Sequence, residues 1–222
     1  ETVLCDTVIN TGRNHSEVLL PAIDDALRLV GIKMSEIDLL ACTLGPGSFT
    51  GLRIGVSTLK GLMMATGKPA AGVSSLEALA LNVGPTDKMI GAVLDAGRGQ
   101  VYLSYYRHCQ DGSLIRLTDE KALAPDQIEN RDQQDVIYVG DGAIKYADVV
   151  GRNSPDKRSG ACLDRQYIHA SSVGLLGLRK FYAQDLLHPG TCRPVYLRSA
   201  DAVPAKPAFH EEKKRLFDEN PP

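Results

Sequence analysis

Gly45-Pro-Gly-Ser-Phe-Thr-Gly-Leu-Arg-Ile-Gly55 is the stretch on which the reading of this chain turns. Four glycines and a proline in eleven positions make poor helix or strand interior, because glycine loses the most conformational freedom on ordering. The residues on either side say the opposite: 37–44 are almost continuously apolar, as in a strand covered on both faces, and 52–66 read as an apolar helix. At Gly45, Pro46, Gly47 and Gly51 the backbone must therefore turn sharply, come close to something, and enter a helix at once. Joints of this kind cradle phosphate on the free amides of a helix N-terminus. A tight turn packed through its glycines, with no ligand, fits the same residues. The spacing matches neither Gly-x-x-x-x-Gly-Lys-Ser/Thr nor Gly-x-Gly-x-x-Gly.

Outward from this joint the pattern alternates. Residues 1–10 read as a strand with Val3, Cys5 and Ile9 on one face, and 14–30 as a helix stopped by Gly31. After the glycine turn and its helix come a short strand at 70–73 and a helix opened by the capping signature Ser74-Ser-Leu-Glu77. This β-α-β-α-β-α order implies an α/β layered architecture. Gly84-Pro-Thr-Asp87 is the expected boundary between an N-terminal lobe (1–84) and a C-terminal lobe (85–202). In the second lobe, strands at 89–94 and 100–106 are joined by the glycine-rich turn Asp95-Ala-Gly-Arg-Gly99, with a further strand at 114–117. A strand at 135–139 then runs into Gly140-Asp-Gly-Ala143 and a helix; 171–187 form a long helix and 193–198 return as extended chain. Residues 203–222, rich in Pro, Lys and Glu, read as a tail. The first residues, Glu1-Thr-Val-Leu, look like the middle of a β-meander, so an opening strand and turn are expected to be missing.

Composition excludes several classes. A net charge of −2 without a basic run argues against an autonomous nucleic-acid grip, and the absence of Trp argues against stacking platforms. Five scattered cysteines with no Cys-x-x-Cys pair suggest neither zinc nor a disulfide framework, so a reducing cytoplasm is expected. No signal peptide or run of membrane length is present in the sequence.

The two leading helices carry more apolar surface than one core requires. In the first, Leu19, Leu20, Ile23, Ala26, Leu27 and Val30 form a sector that Val18, Ala22 and Leu29 extend to roughly 200°, against the ~100° a one-sided helix needs. In the second, Leu52, Val56, Leu59 and Met63 stripe one side, while Ile54, Thr58, Gly61 and Ala65 stripe the other with Leu62 between. Either both helices are sandwiched within the chain, or the surplus faces dock a partner.

Catalytic constellations are absent where they should stand. No two of the five histidines have the spacing that places both on one helical face for a metal, and Gly-x-Ser-x-Gly is missing. His15 reads as a capping or surface residue, and Ser48 and Thr50 as turn and cap residues. Asp95, beside glycines at a strand end, is placed either for magnesium–phosphate chemistry or for a turn, and Asp141 between Gly140 and Gly142 shares that ambiguity.

The glycine turn, together with His15-Ser-Glu-Val-Leu-Leu-Pro21, Gly72-Val-Ser-Ser-Leu-Glu-Ala78, Asp95-Ala-Gly-Arg-Gly-Gln-Val-Tyr102 and Arg193-Pro-Val-Tyr-Leu-Arg198, closely resembles the TsaB family, from about residue 1 to about 202. These proteins are the accessory subunits of bacterial threonylcarbamoyladenosine tRNA modification. The resemblance implies an actin/sugar-kinase-like α/β fold of two lobes, each a mixed sheet flanked by helices. It implies a non-catalytic paralogue of TsaD, the threonylcarbamoyltransferase, whose metal-binding histidines correspond here to Ser75 and Leu79. It implies pairing with TsaD or a second copy through the first two helices, with Val18, Ala22, Leu29, Ile54, Thr58, Gly61, Leu62 and Ala65 as interface, and transient addition of the ATPase TsaE. Under that reading ATP and metal reside on the partners, this chain alone holds no cofactor, and tRNA is reached only through the complex. Asp95, Gly140 and Gly142 fall where nucleotide loops lie in kinase-like relatives and are read as vestigial. The alternative is a stand-alone metallopeptidase-like or kinase-like enzyme of the same fold.

Overall fold

The structure is a computed structural model that describes residues 2–10, 15–128, 135–150 and 166–197. Its elements run α1 (His15–Val30), β1 (Leu40–Gly45), α2 (Phe49–Thr66), β2 (Ala70–Ser74) and α3 (Ser75–Leu81). They continue with β3 (Met89–Gly97), β4 (Gln100–His108), β5 (Leu114–Arg116), β6 (Lys121–Leu123), β7 (Val136–Val139), α4 (Asp141–Lys145), α5 (Ala147–Val150) and α6 (Ala170–Tyr182).

Strands β1 and β2 lie parallel, joined by the α2 crossover, with Leu40 opposite Ala70 and Cys42 opposite Gly72. Side-chain alternation assigns each face its helix. Leu40, Cys42 and Leu44 pack under Val56, Leu59 and Met63 of α2. Ala41 faces the opposite way and meets Val173 and Leu176 of α6. There α6 sits very close: a Cβ on Gly177 would fall 2.6 Å from the Ala41 methyl. The C-terminal helix thus closes back over the first sheet.

The second sheet has the order β5-β4-β3-β7, with β3 antiparallel to β4 and parallel to β7. β5 and β6 share one edge of β4, pairing with its two halves. On one face Val93, Val101, Leu103, Tyr105 and Tyr138 pack with Ala143 and Val150. On the other, Ile90, Tyr102 and Tyr106 receive Leu76 and Leu79 of α3. α3 therefore bridges the two sheets, and truncating either leucine, both fully buried, to alanine should cost about 2–5 kcal/mol.

Several expectations need correction. Residues 2–10 are not a strand: Val3, Leu4, Val8 and Ile9 are exposed, and alternation cannot supply the partner a ladder requires. The segment is tied down by side chains instead. Asp6 bonds the start of α6, and Asn10 donates to the Tyr167 hydroxyl at 3.2 Å. The first strand begins at Leu40 rather than 37, because 34–36 take a 3-10 turn. α2 begins at Phe49, three residues inside the glycine run, since Ser48 caps it. β3 continues to Gly97, so Asp95 is a ladder residue opposite Val101 and the turn is Arg98-Gly99, both with positive φ as a tight hairpin favours. α6 stops at Tyr182, with Gln184 left-handed after it, whereas the apolar pattern ran to 187; Leu187 belongs instead to the α2 face of the first sheet. The expected tail at 203–222 lies outside the described residues, as do Arg198, Cys162 and His210.

Candidate functional site: a cleft between the sheets and an apolar helical face

Two features stand out: a cleft between the sheets, and an outer face on α1 and α2. The cleft begins at the glycine turn. Gly45 has φ +133°, and a Cβ there would lie 2.3 Å from the Val195 carbonyl oxygen. The Val195 amide in turn donates to Leu44 O at 2.7 Å, so the C-terminal segment 192–197 is laced across the turn. Gly45 is therefore required by close backbone approach. Ser48 Oγ accepts the Gly51 amide at 3.3 Å and starts α2. Pro46 is buried, Gly47 and Gly51 are half-buried, and His15 stands at the rim.

The facing wall is built by β3 and the turn into α4. Asp141 Oδ1 accepts the Asp95 amide at 2.9 Å, and Asp95 accepts the Gly97 amide at 3.1 Å and Lys145 Nζ at 2.6 Å. Burial pushes the Asp141 carboxyl above the usual carboxylate range, against the bonds it accepts. The structure does bring Asp95, Gly140 and Gly142 together. The two glycines, however, press on their own strand: a Cβ at Gly140 would lie 2.1 Å from Val93 O, and one at Gly142 2.8 Å from Leu94 C. That packing alone accounts for glycine at both places. The cleft between these walls has a volume of about 1060 Å³, with Ser75 and Tyr102 in its lining.

At its mouth Arg53 lies 4.0 Å over the Phe49 ring, and Phe49 is 4.9 Å from the Tyr196 ring, whose hydroxyl accepts Arg53 Nε at 3.4 Å. Phe49 and Arg53 are an i,i+4 helical pair, a contact their spacing could have revealed. Tyr196 is 143 residues from Arg53, and no local pattern announces it. Among the described residues no group of three or more His, Cys, Asp or Glu is placed to hold a metal. Leu79, at one of the two positions where the resemblance expects TsaD's histidines, is wholly buried in the apolar layer under the second sheet. Burial pushes the Cys42 thiol up to about 11, with Cys192 adding to the shift, so Cys42 is held as a neutral thiol rather than a nucleophile.

The helical face is the second feature. Leu52, Val56, Leu59 and Met63 of α2 are buried. Its outer stripe holds half-buried Ile54, Thr58 and Leu62 beside exposed Gly61 and Ala65. Nothing lies within 4 Å of where a Gly61 Cβ would stand. In α1 no residue is buried, although the helix is largely apolar; Val18 and Ala22 are half-buried, and Leu29 is 78 % exposed. Met64, beside the α2 stripe, is 77 % exposed.

Comparison with known proteins agrees with this architecture. The family model described as "TsaD: tRNA N6-adenosine threonylcarbamoyltransferase" matches residues 3–158. YeaZ from Pseudomonas aeruginosa superposes with a TM-score of 0.69 at 27% identity, covering 83% of this chain and 85% of that one. The fold is thus the two-sheet, actin/sugar-kinase-like α/β fold of the TsaD-type proteins. The tRNA threonylcarbamoyladenosine biosynthesis protein TsaB of Escherichia coli is 30% identical over 84% of this chain and 82% of its own length. That of Bacillus subtilis is 33% identical over 63% of this chain, and the match spans only 62% of the relative, under two thirds. The chain belongs to the TsaB family.

Proposed function

We propose that this protein serves tRNA threonylcarbamoyladenosine biosynthesis as a non-catalytic subunit that pairs with a TsaD-like threonylcarbamoyltransferase through the outer face of α1 and α2. The names of its relatives support the process. The pairing is supported by one observation above the rest: a stripe of Ile54, Thr58, Gly61, Leu62 and Ala65 continues beside an α1 in which nothing is buried. Small residues on such a stripe let a second helix approach closely, and apolar faces of this breadth are rarely left bare. Val18, Ala22 and Leu29 extend the same docking surface. Burying it stabilises one shape of the partner, which is how a subunit without chemistry raises an enzyme's activity.

Leu79, lacking any donor atom, supports the absence of a metal centre of the TsaD kind in this chain. ATP and metal belong to the partners in this reading, a TsaE-like ATPase joins transiently, and tRNA is met only in the assembled complex. No described helix is long and apolar enough to cross a membrane, and the cytoplasm is the compartment this role requires.

The test is reconstitution with a TsaD-like protein. Wild-type chain should co-elute with it on size exclusion and raise its transfer of threonylcarbamoyl to tRNA. Ala65→Glu, which places a charge on the exposed stripe, should abolish both while leaving the circular dichroism of the isolated chain unchanged. Co-elution that survives Ala65→Glu and Leu29→Glu together would remove this interface. Turnover of a threonylcarbamoyl donor by the isolated, metal-stripped chain would remove the non-catalytic role.

A further inference from the structure

Arg53 is exposed on the second turn of α2, yet its side chain is held in place. Its guanidinium carbon lies 4.0 Å from the centre of the Phe49 ring, and Nε donates to the Tyr196 hydroxyl at 3.4 Å. Phe49 and Tyr196 are themselves in ring contact at 4.9 Å. Tyr196 is fixed in turn by its neighbour, because the Val195 amide donates to Leu44 O at 2.7 Å and so ties this segment to β1. Two segments far apart in the chain thus converge on one guanidinium. Ordering a long side chain costs rotamer entropy. Here that ordering precedes any partner, which is the condition for a tight contact.

Nε is the one Arg53 donor with a protein acceptor among the described residues, and no described carboxylate pairs with this side chain. Asp95, across the cleft, is taken by Lys145 at 2.6 Å. The helix adds to the imbalance. α2 has no acidic residue in its first turn, and Arg53 stands near the end where the helix dipole is already positive. A cation there is unfavourable for the isolated helix, so nothing in the chain alone gains from it. Arg53 also precedes Ile54 by one residue, and therefore borders the outer stripe of Ile54, Thr58 and Gly61 at its N-terminal end.

We infer that Arg53 is the charged anchor of the docking surface, and that its two Nη groups receive a carboxylate, from Asp or Glu, of the TsaD-like subunit. The inference rests on the pairing proposed above and names the chemistry the partner must bring to it. A guanidinium presents parallel N–H groups that match a carboxylate in a bidentate pair. Arginine beside aromatic rings is also the composition that concentrates binding energy at protein interfaces.

Calorimetry and size exclusion of the full chain with a TsaD-like subunit test it. Arg53→Gln should weaken pairing about thirtyfold, the loss expected at an interface hot spot. Arg53→Glu should weaken it about tenfold further, because two carboxylates then face each other. Arg53→Lys keeps the charge without the fork and should recover only part of the affinity. Tyr196→Phe, which frees the guanidinium, should cost about fivefold. The wild-type Kd should rise with salt, and Arg53→Gln should flatten that dependence. The salt series on unaltered protein decides the matter even if a variant fails to fold. Wild-type pairing that is indifferent to salt would overturn the inference. So would equal losses for Arg53→Gln and Arg53→Glu, since a residue that only packs does not sense the sign of its replacement. Wild-type chain that does not pair at all would remove the docking role itself, whereas pairing that survives Arg53→Glu removes only this anchor.

Discussion

Asp6 stands 164 residues before Ala170, yet it is the residue that starts α6. Its carboxylate accepts the amides of Ala170 at 3.2 Å and Ser171 at 3.3 Å and the Ser171 hydroxyl, while His169 lies 3.3 Å away. His169, in the N-cap position, makes no side-chain cap of its own, so Asp6 supplies one from elsewhere in the chain. Partial burial pulls this carboxyl up, but the bonds from Ser171 and the charge of His169 outweigh it and hold the group below its ordinary value of 3.8. A depressed acid contributes stability that is fully present above the unfolded value and lost as pH falls through the folded one. Asp6→Ala should therefore cost about 1 kcal/mol at pH 7. In urea unfolding the gap between variant and wild type should hold at pH 5 and narrow as the pH falls below the ordinary value of 3.8. A gap that persists unchanged into acid would mean the carboxylate's charge contributes nothing to the cap.

At the scale of elements, α2 divides its glycines by task. Gly55 lies against the sheet, where a Cβ would touch Cys42 Sγ at 3.5 Å, whereas Gly61 looks outward with nothing near it. A glycine in mid-helix lowers stability by about 1 kcal/mol relative to alanine, and nothing in the isolated chain gains from it. Gly61→Ala should thus stabilise the isolated chain by about 1 kcal/mol in thermal or urea unfolding. It should also weaken pairing with a TsaD-like subunit, because the methyl holds the facing helix away. Stabilisation with undiminished pairing would place the contact on another stripe. This helix was also the most legible element, because its period of 3.6 leaves two opposed apolar stripes that can be counted. The glycine run hides the start at Phe49, and in residues 2–10 the alternation reports faces and not partners. The cleft was half legible. The glycine turn marked one wall, and Asp95 and Asp141 the other. The Tyr196–Phe49 stack was silent, joining segments distant in sequence.

For the whole molecule, the arrangement of layers sets what pairing should do to stability. α6, α3 and the segment 192–197 tie the first sheet to the rest of the chain, and Cys192 is buried in the same apolar cluster as Val56 and Leu59. α1 is held mainly against α2 and has no buried residue, so it is the layer whose stability depends most on what covers it. A partner that binds only the folded chain raises its stability by RT ln(1 + [partner]/Kd), about 2.7 kcal/mol at a hundredfold excess over Kd. If the partner covers α1, that gain should be felt first by amides of α1 and the outer half of α2, in hydrogen exchange, and only afterwards by the sheet strands. Leu29→Glu lies on α1 at a position that contacts little, so the isolated variant should unfold within about 0.5 kcal/mol of wild type. With a TsaD-like subunit present, the same variant should lose both the gain in stability and the protection of α1. A partner-induced gain with protection in β3, β4 and β7 but none in α1 would move the docking surface to the other sheet.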